Sequence, residues 1–398
     1  MKIFVACELP DGALQALRSL AEDVAYRPMA TSAELREKLG DVRLLVVGST
    51  RIAPDLIARA PALQMIVHAG HGPGDIALEA ASQQGVFVCH CPDKHAAAVA
   101  ELTFGLILAL DRRIVENTTA LREGRWIRGE LSDARGLAGR TLGIVGWGAV
   151  GRQVARLARA FDMRVLAWSP ALTPEASPDG AVEFCNWPRE LARECDIVTV
   201  HAIEGEAEPL VDADFLESLP EGAYLVHVGR AGMVDEAALA RAVEKRGLRL
   251  ALDVFTSEPA GELARFRCRL CEQAGVIGTQ HIAELTAQAR MATADEVVRV
   301  VQAFFVSGDV LNCLNLCDRS PATWQLVMRV RDQPGVMAAV LEVVRSDGIN
   351  AQEISSRVFI GAKAAWLTIA LDERPSTEAL DAIHALPNVL HLELRAVV

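Results

Sequence analysis

No stretch of this 398-residue sequence approaches the ~18 uninterrupted apolar residues that a membrane-spanning helix needs. Its start, MKIFVACELPDGALQ, has one short apolar run broken by Glu8 and Pro10, so neither a signal peptide nor a membrane anchor is expected there. Positive charge is also in short supply: 40 Lys and Arg stand against 52 Asp and Glu, a formal net charge of -12. That balance argues against general affinity for nucleic acid or anionic membranes and points to soluble, cytoplasmic small-molecule chemistry. Low-complexity tracts are missing, and 51% hydrophobic with 23% charged residues is the composition of a globular chain. The nine cysteines are an odd number without a secretion signal, so most are expected as reduced thiols packed like small hydrophobes. Cys268 and Cys271 form a CRLC pair, and Cys89 and Cys91 lie close to His90 and His95. With no second pair at finger or ribbon spacing, no metal site is expected.

What the sequence does contain is alternation. IFVACE, VAYRP, LLVVGS, MIVHAG and VFVCH read as strands separated by helical patterns, which implies a parallel sheet with right-handed crossovers. From Thr141 a second series begins: LGIVGW, RVLAW, IVTVHA, YLVHVG, RLALDV and VIGTQ predict a six-strand doubly wound sheet. The amphipathic run AQARMATADEVVRVVQAFFVSG follows and could carry the chain back to the first domain. From about Thr323 the order becomes β-α-β-β-α-β, the ferredoxin-like split βαβ. The expected architecture is α/β, with two doubly wound parallel-sheet domains of Rossmann or flavodoxin type and a small C-terminal ferredoxin-like module.

Gly146, Gly148 and Gly151 form G-x-G-x-x-G between a predicted strand and a predicted helix, the setting in which such a loop holds a dinucleotide pyrophosphate. The next strand ends in Ser169, where a carboxylate would chelate the ribose hydroxyls of NAD. A serine makes one neutral hydrogen bond and does not repel a 2′-phosphate. NAD preference is weakened but not reversed, since no basic residue immediately follows.

Ligands in open α/β sheets bind outside the carboxyl ends of the strands. Three consecutive predicted strands deliver Arg230, Glu258 and His281 to that edge. Arginine offers a planar fork for a substrate carboxylate, and a histidine beside a glutamate can exchange a hydroxyl proton near neutral pH. With a nicotinamide nearby, this set suits interconversion of a 2-hydroxy acid and a 2-oxo acid by hydride transfer.

The segments HAGHGPGDIALEAASQQGVFVCHCP, VAELTFGLILAL, GRTLGIVGWGAVGRQVA, VGRAGMVDEAALARAV, LDVFTSEP, GTQHIAELTAQA and RVRDQPGVMAAVLEVVRSDGINAQEI occur in a familiar order. With them the chain resembles the D-isomer-specific 2-hydroxyacid dehydrogenases, and within these the phosphoglycerate dehydrogenase type that carries a C-terminal ACT domain. The resemblance implies that Arg230 grips the substrate, that Glu258 pairs with the acid/base His281, and that Asp253 holds the nicotinamide carboxamide. Val150 and Gly151 would line the pyrophosphate, while the loop with Gly70, His71 and Gly72 would offer backbone N–H groups to the substrate carboxylate. It also implies a substrate-binding domain of residues 1–98 and 287–320, a dinucleotide-binding domain of 99–286, and an ACT-like domain of 321–398. A homodimer or homotetramer follows, with Gly335 and Asn350 as candidate positions for an amino-acid effector.

Departures from the family pattern fall mostly on the substrate side. His68 stands where an arginine is usual, His227 where an asparagine is usual, and Glu284 follows a variant Thr279-Gln280-His281-Ile282-Ala283. Val47 occupies the place of the basic residue of phosphoglycerate-specific members; Arg51 could replace it only in a differently arranged loop. His68, His71, His90 and His95 either shape an altered pocket or are polar loop positions. The resemblance therefore favours phosphoglycerate dehydrogenation, the first step of serine biosynthesis, with a reductase of glyoxylate, hydroxypyruvate or another 2-oxo acid as the alternative. A protein that senses NADH without catalysis is a second alternative.

Overall fold

Short runs of Val, Ile and Leu become buried strands, and their alternate side chains feed the two faces of each sheet. The computed structural model describes residues 2–170, 182–201, 209–259, 264–317 and 319–397. The chain forms two compact units, Met1–Leu314 and Asn315–Val398.

The first unit holds two parallel sheets. Strands β1 (Lys2–Ala6), β2 (Asp23–Tyr26), β3 (Leu44–Val47), β4 (Met65–His68) and β5 (Phe87–His90) lie in the order β2-β1-β3-β4-β5. Ile3, Val5, Leu44, Val46, Met65 and Val67 point to one face, where they pack on Val297, Val300 and Val301 of the helix Ala287–Val306. Phe4, Leu45, Val47, Ile66 and Val88 fill the other. The amphipathic run after the second series thus closes the first sheet.

The second sheet contains β6 (Thr141–Val145), β7 (Arg164–Trp168), β8 (Glu183–Phe184), β9 (Ile197–Val200), β10 (Tyr224–His227), β11 (Arg249–Leu252) and β12 (Val276–Gly278). Its order is β12-β11-β10-β9-β6-β7-β8. Counted from β6, this is the doubly wound 3-2-1-4-5-6 arrangement extended by one strand. The sheet has seven strands rather than the expected six, because β8 has two residues, too few to leave a periodic signal. Strand order reverses between β6 and β9, so a crevice opens at the carboxyl ends of these strands. Behind the sheet lies the almost wholly apolar helix Ala96–Asp111, with Val99, Phe104 and Ile107 in one core with Ile144, Val226 and Ala251.

In the second unit, β13 (Trp324–Arg331), β14 (Ala351–Val358), β15 (Ala364–Leu371) and β16 (Val389–Ala396) form an antiparallel sheet in the order β14-β15-β13-β16. Helices Val336–Ser346 and Thr377–His384 complete the ferredoxin-like connectivity. This unit begins at Asn315, a few residues before the expected 321. Up to Leu314 the chain is pinned to β5, since Leu314 N donates to Val88 O at 2.8 Å and Cys313 bridges Cys89. All nine cysteines are free, and Cys268 Sγ and Cys271 Sγ stand 2.7 Å apart. No helix among the described residues is long and apolar enough to cross a membrane.

Candidate active site

The glycine loop is built by close approach. Gly146 leaves β6 at φ +106° and its N–H donates to Trp168 O at 2.8 Å, which joins the loop to the end of β7. The helix Ala149–Ala160 starts on Gly148 with no side chain capping it, so the N–H groups of its first turn are open to an anionic group. A Cβ on Gly151 would meet Gly146 O at 2.2 Å, a distance only glycine avoids. Ser169 follows β7 at the same sheet edge. These features fit a dinucleotide pyrophosphate with its ribose toward Ser169.

From this loop Val150 reaches a cavity of about 430 Å³ that is also lined by Arg230, Asp253, Glu258 and His281. The three residues expected from separate strand ends therefore meet. Arg230 caps a short turn after β10 and is exposed to the cavity. Glu258 Oε1 accepts the Phe255 N–H at 2.8 Å, and its Oε2 lies 2.8 Å from His281 Nδ1. An ionised carboxylate only accepts, so Nδ1 carries the proton and Nε2 is left as the exchanging nitrogen. Burial pulls the His281 pKa down, but the Glu258 hydrogen bond and the charges of Glu258, Asp253 and Glu284 outweigh it and hold the imidazole above its ordinary value.

His281 sits at φ +53°, a left-handed conformation rare for a residue with a side chain. Asp253 holds it there. This buried carboxylate accepts Thr279 Oγ1 at 2.5 Å, Ile282 N at 3.0 Å and Ala283 N at 3.0 Å, while Asp253 O accepts His281 N at 2.8 Å. Asp253 borders the cavity, and its bonds organise the turn that carries the histidine.

Of the loop positions expected at the substrate, His71 lines the cavity while Gly70 and Gly72 do not. Gly72 N donates to His90 Nδ1 at 3.1 Å, and Gly72 O lies 2.8 Å from His68 Nδ1, so the loop is tied to both rings. His71 makes edge contacts with His90 and His95, each at 5.5 Å between ring centres. Burial lowers the pKa values of His68, His90 and His95, which favours their neutral forms. Among the described residues no group of His, Cys, Asp and Glu is placed to hold a metal. Arg51 Nε lies 3.7 Å from the Asp75 carboxylate, and Arg51 does not line the cavity.

His201, which sequence reasoning missed, also lines the cavity, buried, with Nε2 2.8 Å from Thr199 Oγ1. It stands one residue past β9, so the strand-end rule that found Arg230 could have found it. His227 lies below, fully enclosed. Neither of its ring nitrogens has a hydrogen-bond partner of good geometry, although the Arg230 and Val200 carbonyls are near enough to favour its charged form. Burial dominates and drives His201 to about 3 and His227 to about 4.

In the second unit Gly335 starts the helix Val336–Ser346 at φ +87°, and Asn350 N donates to Asp372 Oδ1 at 3.0 Å. Both are exposed, and neither borders the cavity of about 360 Å³ on the sheet of this unit.

Residues 104–283 match the model of the D-isomer specific 2-hydroxyacid dehydrogenase NAD-binding domain. The chain is 32% identical to a D-3-phosphoglycerate dehydrogenase of Methanocaldococcus jannaschii over 79% of its own length and 60% of the relative's. It therefore spans less than two thirds of that protein. It is 33% identical to a hydroxypyruvate reductase of Thermotoga maritima, across 67% of this chain and 86% of that one. A solved NADPH-dependent glyoxylate/hydroxypyruvate reductase of Sinorhizobium meliloti superimposes with a TM-score of 0.69 at 26% identity, covering 79% of this chain and 97% of the other.

Proposed function

Because the chain belongs to the D-isomer-specific 2-hydroxyacid dehydrogenase family, we propose that it interconverts a D-2-hydroxy acid and its 2-oxo acid with NAD(H) or NADP(H). One observation carries the reading: Arg230, the Glu258–His281 pair and Val150 of the glycine loop border a single cavity. A sensor that never exchanges a proton has no need of that pair.

When bound, the nicotinamide supplies a hydride acceptor or donor. Arg230 holds the substrate carboxylate with its planar fork and keeps the reacting carbon in place. In oxidation, His281 Nε2 takes the hydroxyl proton while Glu258 stabilises the resulting imidazolium; in reduction the same nitrogen returns it. Asp253 keeps the turn in register and would meet the nicotinamide carboxamide, and Gly148 with Val150 and Gly151 would receive the pyrophosphate.

On this reading residues 1–98 and 287–320 supply the substrate side through His71, and 99–286 hold the dinucleotide. Residues 321–398 would form an effector module in which Gly335 and Asn350 take a small amino acid, within a homodimer or homotetramer. The relatives named phosphoglycerate dehydrogenase support 3-phosphoglycerate as substrate. The cavity favours a second reading, reduction of an unphosphorylated acid such as hydroxypyruvate or glyoxylate, because Arg230 is the only Lys or Arg along its lining among the described residues. Initial rates with NAD, NADP and a panel of hydroxy and oxo acids test the proposal, and absence of turnover for every acid with both cofactors would overturn it.

A further inference from the structure

We infer that Glu284 selects against a second negative charge on the substrate, so that the acid turned over is a monoanion whose distal group is uncharged or cationic. The inference rests on the dehydrogenase reading and names the substrate class of that site.

Two cavities meet at His281. The first, described above, contains Arg230; the second, about 540 Å³, is lined by Ser49, Phe255, Pro259, Phe266 and Leu285 among others. Phe255, Glu258, His281 and Glu284 border both, so a substrate held by Arg230 with its reacting carbon at His281 extends its far end past Glu284. No lysine or arginine borders the second cavity among the described residues.

The carboxylates divide into committed and uncommitted. Glu258 is bonded to His281 and Phe255 N, and Asp253 to its turn. Glu284 has no hydrogen-bond or ion-pair partner for its carboxylate among the described residues. It lies near enough to His68, His95 and His281 for its charge to act on all three rings, and it lines both cavities. Burial holds His68 and His95 toward their neutral forms, so these two rings do not offset it. Once Arg230 has taken the substrate carboxylate, a phosphate or second carboxylate would face Glu284 with no lysine or arginine among the described residues to receive it, and the charged ring of His281 nearby is engaged at the reacting carbon. A hydroxyl, an apolar group or an ammonium would not be repelled.

Hydroxypyruvate and its 3-phosphate differ by the phosphate group that carries the added negative charge and form the test pair; the bulk of that group is the same for wild type and variant, so the change in their ratio reports the charge. The full chain is assayed with NADH as the ratio of kcat/KM for the two acids, which cancels effects on His281 common to both. The wild type should favour the unphosphorylated acid, and Glu284→Gln should shrink that preference roughly tenfold, the size of one like-charge pair at a partly exposed site. Raising salt to about 0.5 M should narrow the wild-type ratio by screening and leave the variant's nearly unchanged. A wild type that prefers the phosphorylated acid, or a ratio indifferent to both the substitution and salt, overturns the inference. If Glu284→Gln fails to fold, a wild-type ratio flat in salt overturns it alone. Turnover of other acids with an unmoved ratio sinks only this inference, whereas no turnover of any acid sinks the dehydrogenase reading with it.

Discussion

His281 Nδ1 stands 2.8 Å from Glu258 Oε2 while the other oxygen of Glu258 accepts the Phe255 N–H at 2.8 Å. The carboxylate is thus fixed by its own turn before it fixes the imidazole. Both groups are needed in the proposed chemistry, but in different ways, and the difference can be measured.

Replacing His281 by Gln removes the group proposed to exchange the proton. Turnover should fall by ~10²–10⁴-fold, the usual range for a general acid/base. NADH binding, followed by fluorescence titration, should stay within about threefold of wild type, because the glycine loop is untouched. Turnover within tenfold of wild type would refute the role of His281.

The pH dependence has opposite signs in the two directions. Oxidation needs neutral His281, so its kcat/KM should rise with pH through an apparent pKa above the ordinary histidine value. Reduction needs the charged form and should fall through the same pKa. Glu258→Gln removes the charge that raises the value, so both limbs should move to lower pH; limbs that stay in place would show that another group titrates.

Gly151→Ala tests the cradle, since the new Cβ would meet Gly146 O at 2.2 Å. Backbone must move, and NADH affinity should drop at least ~10-fold, with destabilisation on the order of 1–3 kcal/mol from overpacking. An alanine variant with wild-type affinity would show that the loop does not approach a pyrophosphate.

Ser169→Asp places a carboxylate at the end of β7, beside the expected ribose. The ratio of kcat/KM for NAD over NADP should rise by ~10-fold or more through repulsion of the 2′-phosphate. An unchanged ratio would mean that the ribose lies elsewhere.

His201 and His227 are held neutral at about 3 and 4, well below the ~6.5 of an unfolded histidine. Between those values the unfolded chain binds more protons, so stability is full above pH ~6.5 and is lost as pH falls toward the folded values. His227→Asn should shrink the loss in urea midpoint between pH 7 and pH 5, while an identical loss would show that His227 does not contribute.

Much of this was legible along the chain. Strands such as LLVV and TLGIV are buried runs with one reading, and the glycine spacing has meaning only between a strand and a helix, a context the sequence itself displays. Arg230, Glu258 and His281 were found by one rule, that strand ends carry ligands. The same rule, not carried to β9, would have found His201. The two-residue β8 had no periodicity to read, and residues 312–314 gave no sign that they would pin to β5.

The order of elements and the placement of polar residues at strand ends were determined by the sequence alone, because each depends on neighbours a few positions away. Only the tertiary structure decided which side chains share a cavity. Gly72 N–H is held by His90, eighteen positions along, Arg51 lies beside Asp75, and Glu284 borders both cavities with its charge uncommitted. Hydrogen bonds and charges act through space, over a few ångströms that sequence distance does not measure.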